Sequence, residues 1–197
     1  MSSLRALCVF CASASGRDPL WTQAAFELGS ILASREIDLV YGGSKVGLMG
    51  TVADAVLTNG GRVRGVIPHV LVDLEVAHNG CTELHVVDTM HARKALMGEL
   101  SDAFLILPGG YGTLEELFEV LAWQGLRLHE KPICLLNLSG FYDSLITFLD
   151  HCVAQGVLKP RLREALLVAN TVEDALRKLE AGKLEVMRAK GSGVGKI

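Results

Sequence analysis

Apolar residues in this chain fall into two patterns that alternate from one end to the other. Short, nearly unbroken runs rich in Val, Ile and Leu ("ALCVFCA", "IDLVYGG", "RVRGVIP", "AFLILPG", "PICLLNL" and "LLVAN") are separated by longer stretches of helical period. The runs predict six strands. The periodic stretches predict helices over Pro19–Arg35, Gly47–Thr58, Met90–Leu100, Gly112–Leu126, Phe141–Gln155 and Thr171–Glu180, several of them punctuated by Gly or Pro at an end. A strand with an unbroken apolar run is covered on both faces, and strands that alternate with helices run parallel through right-handed crossovers. The expected fold class is therefore α/β, a Rossmann-like doubly wound parallel sheet in a single domain. With 197 residues, half of them apolar, the chain can bury one full core. That domain is expected over 1–188, with 189–197, "AKGSGVGKI", as a flexible low-complexity tail. The "GSGVGK" in the tail lacks both the preceding strand and the Ser or Thr that a phosphate loop needs after its Lys.

In such a sheet, ligands bind beyond the carboxyl ends of the strands. Three connections at that edge are rich in Gly and Ser: "CASASGRDP", "YGGSKVGLMG" and, after the fourth predicted strand, "PGGYGTLEE". Any one of them reads as a tight turn needing positive φ; three together predict a nucleotide-sized polar crevice. None has the G-x-G-x-x-G spacing after the first strand, and no acid is placed for an adenosine ribose, which argues against a dinucleotide oxidoreductase. The third loop is the most specific. The N–H groups of Gly110, Gly112 and Thr113 can converge on an anion, and the Thr113 hydroxyl can cap the helix or donate to phosphate. In the helix that follows, Leu114, Leu117, Phe118 and Leu121 form the core stripe, Glu115 and Glu119 share a polar flank, and Glu116 aligns with Val120 and Trp123. Glu115 then only complements the helix dipole, worth ~0.3–1 kcal/mol, whereas Glu116 is an acid among apolar neighbours. In "MHARKALM", Arg93 and Lys94 sit in a first helical turn, where the dipole disfavours cations and an anionic partner is expected.

Charge narrows the partner class. A net charge of −3 with scattered basic residues offers no stripe for nucleic acid or an anionic membrane, so a small molecule is expected. No stretch approaches the ~18 apolar residues of a membrane span, and the N-terminal run is too short for a signal peptide's apolar core and cleavage site; a cytoplasmic protein is expected. Five cysteines, an odd number, suit a reducing compartment. Cys8 and Cys11 spell C-x-x-C, but in a strand they point to opposite faces and no second pair follows, so no metal site is expected.

The motifs "PGGYGTLEE" and "MHARK", with "CVFCASASG", "YGGSKVGLMG" and "KPICLLN" around them, resemble the Lonely Guy family, cytokinin riboside 5′-monophosphate phosphoribohydrolases that often carry a lysine decarboxylase label. The pattern P-G-G-x-G-T-x-x-E is met at Pro108, Gly109, Gly110, Gly112, Thr113 and Glu116, and M-H-x-R-K at Met90, His91, Arg93 and Lys94. The resemblance implies a homodimer with active sites near the subunit interface, Arg93 and Glu116 as the catalytic pair, and no cofactor. It implies substrate contacts from Met90, Lys94, Gly109, Gly110, Tyr111, Gly112 and Thr113, from Ser13, Gly42 and Gly43 in the earlier loops, and from an acid at Glu75. Plant members carry threonine where Ala122 stands, a difference bearing on the purine side. The implied reaction hydrolyses the N-glycosidic bond of an N6-substituted adenosine 5′-monophosphate to free base and ribose 5-phosphate. Alternatives are a general nucleotide nucleosidase that accepts AMP, and a non-catalytic nucleotide or molybdenum-cofactor carrier. A pyridoxal decarboxylase has Lys45 and Lys94 available but no surrounding constellation.

Overall fold

The computed structural model of the chain describes residues 4–73 and 76–192. Within them, β1 (Ala6–Phe10), β2 (Asp38–Tyr41), β3 (Val63–Pro68), β4 (Glu83–Val87), β5 (Ala103–Ile106), β6 (Ile133–Leu136) and β7 (Leu166–Ala169) form one parallel sheet in the order β4-β3-β2-β1-β5-β6-β7. The helices are α1 (Pro19–Ser34), α2 (Gly47–Thr58), α3 (His69–Asp73), α4 (Met90–Glu99), α5 (Tyr111–Gly125), α6 (Asp143–Ala154), α7 (Pro160–Glu164) and α8 (Val172–Ser192).

Six predicted strands are present and a seventh, β4, was not foreseen. It lies at the sheet edge and is only partly buried, so its sequence "ELHVV" alternates polar and apolar residues and shows no unbroken run. The "PGGYGTLEE" loop consequently follows the fifth strand, not the fourth. The short helices α3 and α7 were also unforeseen, since one turn carries no periodicity. Helix α8 continues to Ser192, well past the predicted Glu180, while 193–197 and most of "GSGVGK" lie outside the described residues.

Alternation along β1 divides the core. Leu7, Val9 and Cys11 pack with α1, α2 and α8 on one face; Ala6, Cys8 and Phe10 pack with α4, α5 and α6 on the other. The two cysteines of C-x-x-C are thus buried on opposite faces as free thiols. The direction in which successive strands are added across the sheet reverses between β1 and β5, which run parallel with Leu7 paired to Ala103 and Phe10 to Ile106. At that switch the loops after β1 and β5 are led to opposite faces, and a crevice opens between them.

Candidate active site

The crevice is a cavity of about 630 Å³. Its wall combines Cys11, Ala12, Ser13 and Ala14 after β1, Ser44, Val46 and Met49 around the start of α2, Leu71 of α3 with Val76, Arg93 of α4, and Gly110 to Thr113 with Glu116 of α5. All three Gly- and Ser-rich connections therefore meet at one site.

Helix α5 begins at Tyr111 behind Gly110, and no side chain caps it. Its first intrahelical bond is Leu114 N–H to the Gly110 carbonyl, which leaves the N–H groups of Tyr111, Gly112 and Thr113 without helical acceptors. Thr113 does not cap; it is buried in the first turn, with its Oγ1 lying where a Cβ on Gly109 would stand, 2.1 Å away. Glycine at 109 is thus demanded by packing. A methyl placed on Gly110 or Gly112 meets no atom within 4 Å, so neither of those glycines is required by the protein's own packing. Both border the open cavity, where the bare backbone and the positive end of a 15-residue helix are available to an anion.

Arg93 is only 6% exposed. Thr89 caps α4 by accepting from Ala92 N–H, and from this helix Arg93 reaches back under the strand ends: Nε donates to the Val66 carbonyl (3.1 Å) and Nη2 to the Gly42 carbonyl (3.0 Å). The anionic partner expected from its place in the first turn is Glu116, whose Oε1 lies 3.9 Å from Nη1. Gly42 makes this possible by close approach, since a Cβ there would stand 1.9 Å from Nη2. Met90 touches the same guanidinium, with Sδ 3.8 Å from Nη1, and Gly43 turns beside Val66 and Ile67; none of Met90, Gly42 and Gly43 lines the cavity itself. Glu75 lies outside the described residues.

Glu116 is 9% exposed, and its carboxyl is pushed up to about 7. Burial is the main cause; Arg93 opposes it, Glu115 adds to it, and Lys94 and Glu119 act more weakly in opposite directions. A carboxyl so placed exchanges its proton near neutrality. Burial also pushes the Cys11 thiol well above its ordinary value, so this cavity residue stays protonated and does not serve as a nucleophile.

Three expectations for α5 and α4 are corrected. Lys94 does not reach the cavity: its side chain is 5% exposed and its Nζ pairs with Glu115 and, at 3.0 Å, with Glu119. Glu115 is accordingly an ion-pair partner of a buried lysine and not a dipole complement; α5 starts early enough to put it past the first turn. Phe118, assigned to the core stripe, is 41% exposed, while Val120 is buried in its place. Ala122 lines a separate apolar groove with Phe118, not the cavity. The cavity residues not anticipated individually are mostly apolar (Cys11, Ala12, Ala14, Val46, Met49, Leu71 and Val76), and apolar loop residues carry no chemical signal of their own.

A family model described as "Possible lysine decarboxylase" matches residues 49–179. Cytokinin riboside 5′-monophosphate phosphoribohydrolase LOG3 of Arabidopsis thaliana is 48% identical over 179 residues, covering 91% of this chain and 83% of its own. The probable cytokinin riboside 5′-monophosphate phosphoribohydrolase LOGL2 of Oryza sativa subsp. japonica is 48% identical over 179 residues, 91% of this chain and 73% of its own. Among solved structures, the Moco carrier protein of Chlamydomonas reinhardtii superposes with a TM-score of 0.69 at 20% identity over 91% of this chain and 98% of its own, a likeness of fold.

Proposed function

Because this chain belongs to the LOG family of cytokinin riboside 5′-monophosphate phosphoribohydrolases, we propose that it hydrolyses the N-glycosidic bond of N6-substituted adenosine 5′-monophosphates, yielding the free base and ribose 5-phosphate. The observation that carries the reading is the buried Glu116 carboxyl, held at the cavity wall opposite an Arg93 that is itself fixed by two strand-end carbonyls.

The 5′-phosphate rests on the uncapped N–H groups of α5, with Gly110 and Gly112 leaving it room. Glu116, one turn further into the same helix and also on the cavity wall, is then within reach of the ribose. As the C1′–N9 bond breaks, its electron pair leaves with the purine, which takes up a proton from solvent, and positive charge develops on the ribose. Ionised Glu116 stabilises that charge and accepts a proton from the water that bonds to C1′. One water is consumed, and a carboxyl with a pKa of about 7 releases its proton again at neutral pH. Arg93 stays charged throughout, because a guanidinium does not deprotonate, and its work is electrostatic.

The remaining assignments to substrate binding are Ser13, which borders the cavity, and Tyr111, which is 95% exposed at its mouth. An exposed aromatic there fits a site closed by a second subunit, and we assign the protein to a homodimer. A further support is an apolar groove of about 520 Å³ between α5, α6 and α7, edged by exposed Phe118 and Leu126. Light scattering that gives a stable monomer of 21.2 kDa at micromolar concentration refutes the dimer. The five free cysteines fit a reducing, cytoplasmic setting.

The functional test is to incubate the purified protein with AMP and with N6-isopentenyl-AMP and to quantify ribose 5-phosphate. Preferential release from the N6-substituted nucleotide is expected. Equal release favours a general nucleotide nucleosidase, and no release from either favours a carrier.

A further inference from the structure

Lys94 is a buried cation that the reaction described above does not use. Its Nζ is held by Glu115 and Glu119, both on α5, so it could reach a substrate phosphate only by abandoning two ion pairs. Its chain neighbour Arg93 and Glu115's chain neighbour Glu116 are the two charged groups that face each other in the cavity. Arg93 is anchored to the sheet through Val66 and Gly42, whereas Glu116 is carried by α5. The separation of the pair therefore depends on how α5 sits against α4, and the Lys94 bridge joins those two helices directly beside it.

We propose that Lys94 is a positioning residue, a strap from α4 to Glu115 and Glu119 of α5 that sets Glu116 opposite Arg93 and never touches substrate. The proposal rests on the phosphoribohydrolase reading of the site. The ammonium of Lys94 is buried, Glu119 largely so and Glu115 half-exposed; the bridge adds little net stability compared with apolar contacts, but a slip of α5 would leave the buried cation without its partners. The strap also sets the local field. Glu116 is faced by Arg93 and Lys94 from α4 and by Glu115 and Glu119 from its own helix; its charge also acts on the buried, protonated thiols of Cys8 in β1 and Cys11 just beyond it, which lie on opposite faces of the sheet. Removing Lys94 takes away a nearby cation and leaves two carboxylates uncompensated, so the Glu116 carboxyl should hold its proton to higher pH. Burial pushes the Lys94 ammonium down, but the bonds to Glu115 and Glu119 outweigh it, so Lys94 is charged across the working range.

The experiment compares Lys94→Met, Lys94→Arg and Glu115→Gln/Glu119→Gln with the wild type, by steady-state kinetics on N6-isopentenyl-AMP and by NMR titration of the ¹³C-labelled Glu116 carboxyl in the full-length protein. Lys94→Met should lower kcat about tenfold or more at pH 7, keep KM within about threefold, and move the Glu116 titration upward. Lys94→Arg should restore the titration towards its wild-type position. The double glutamine variant, which removes two anions, should move it downward and reads the same field if Lys94→Met does not fold. A KM raised tenfold or more in Lys94→Met marks a substrate contact and overturns the proposal, as does a Glu116 titration unmoved in every variant. If the wild type releases no ribose 5-phosphate, the functional reading fails, yet the carboxyl titration still decides whether Lys94 sets Glu116.

Discussion

Replacing Glu116 by Gln should make the folded protein more stable at alkaline pH while abolishing most of its activity. The carboxyl is raised from 4.5 to about 7 by burial, so the folded state binds this proton more tightly than the unfolded chain does. The contribution is fully present below about pH 4.5 and is lost as pH rises through about 7, where the fold must carry a buried anion. The gap between the two values corresponds to ~3 kcal/mol. Gln keeps the shape and remains neutral at every pH, so Glu116→Gln should exceed the wild type by up to ~3 kcal/mol at pH 8.5, on the order of 6–12 °C in Tm for a chain of this size, and by little at pH 4.5. The assay is thermal or urea unfolding of both proteins at the two pH values and at one and the same protein concentration, since the stability of any oligomer depends on it. Turnover, measured on the same preparations, should fall on the order of 10²–10³-fold because the charge opposing the developing cation is gone. A stability difference that is the same at both pH values, or a variant less stable at pH 8.5, refutes the argument that the site stores the cost of an ionised carboxylate.

Wild-type kcat/KM should rise with pH through about 7 as Glu116 ionises, and an acid limb near 4.5 in the pH–rate profile would show that substrate binding or another group governs the step. Gly42→Ala puts a methyl 1.9 Å from Arg93 Nη2, so turnover should drop at least about tenfold with the far-ultraviolet circular dichroism unchanged; wild-type kinetics would mean that the guanidinium need not stay where it is. Gly112→Ala meets no protein atom and removes a helix glycine, so unfolding should show equal or greater stability, by up to ~1 kcal/mol, while calorimetric affinity for AMP falls. Undiminished affinity would take the phosphate away from the α5 terminus. Nucleosides lacking the 5′-phosphate should be hydrolysed far more slowly than their nucleotides, and comparable rates would have the same meaning.

Strand positions and the site's three loops were legible because a strand buried on both faces must be apolar throughout and a turn beside a ligand must be glycine-rich; both constraints are local and leave their mark in consecutive residues. Helical phase alone separated Glu116 from Glu115, since a 100° step puts neighbours on different faces. The edge strand β4 left a weaker mark because half of it meets water. What became of the charges was decided by tertiary structure. Lys94 and Arg93 are adjacent and read alike in the chain, yet one turns to Glu115 and Glu119 and the other to Val66, Gly42 and the cavity. The neighbours that divide them come from β3, the loop after β2 and α5, up to about 50 residues away along the chain. The same holds for Glu116: its identity is written in the sequence, but its proton affinity is set by the water excluded around it and by charges brought close from α4. Electrostatic energy depends on distance and burial in three dimensions, and neither is carried by residue order.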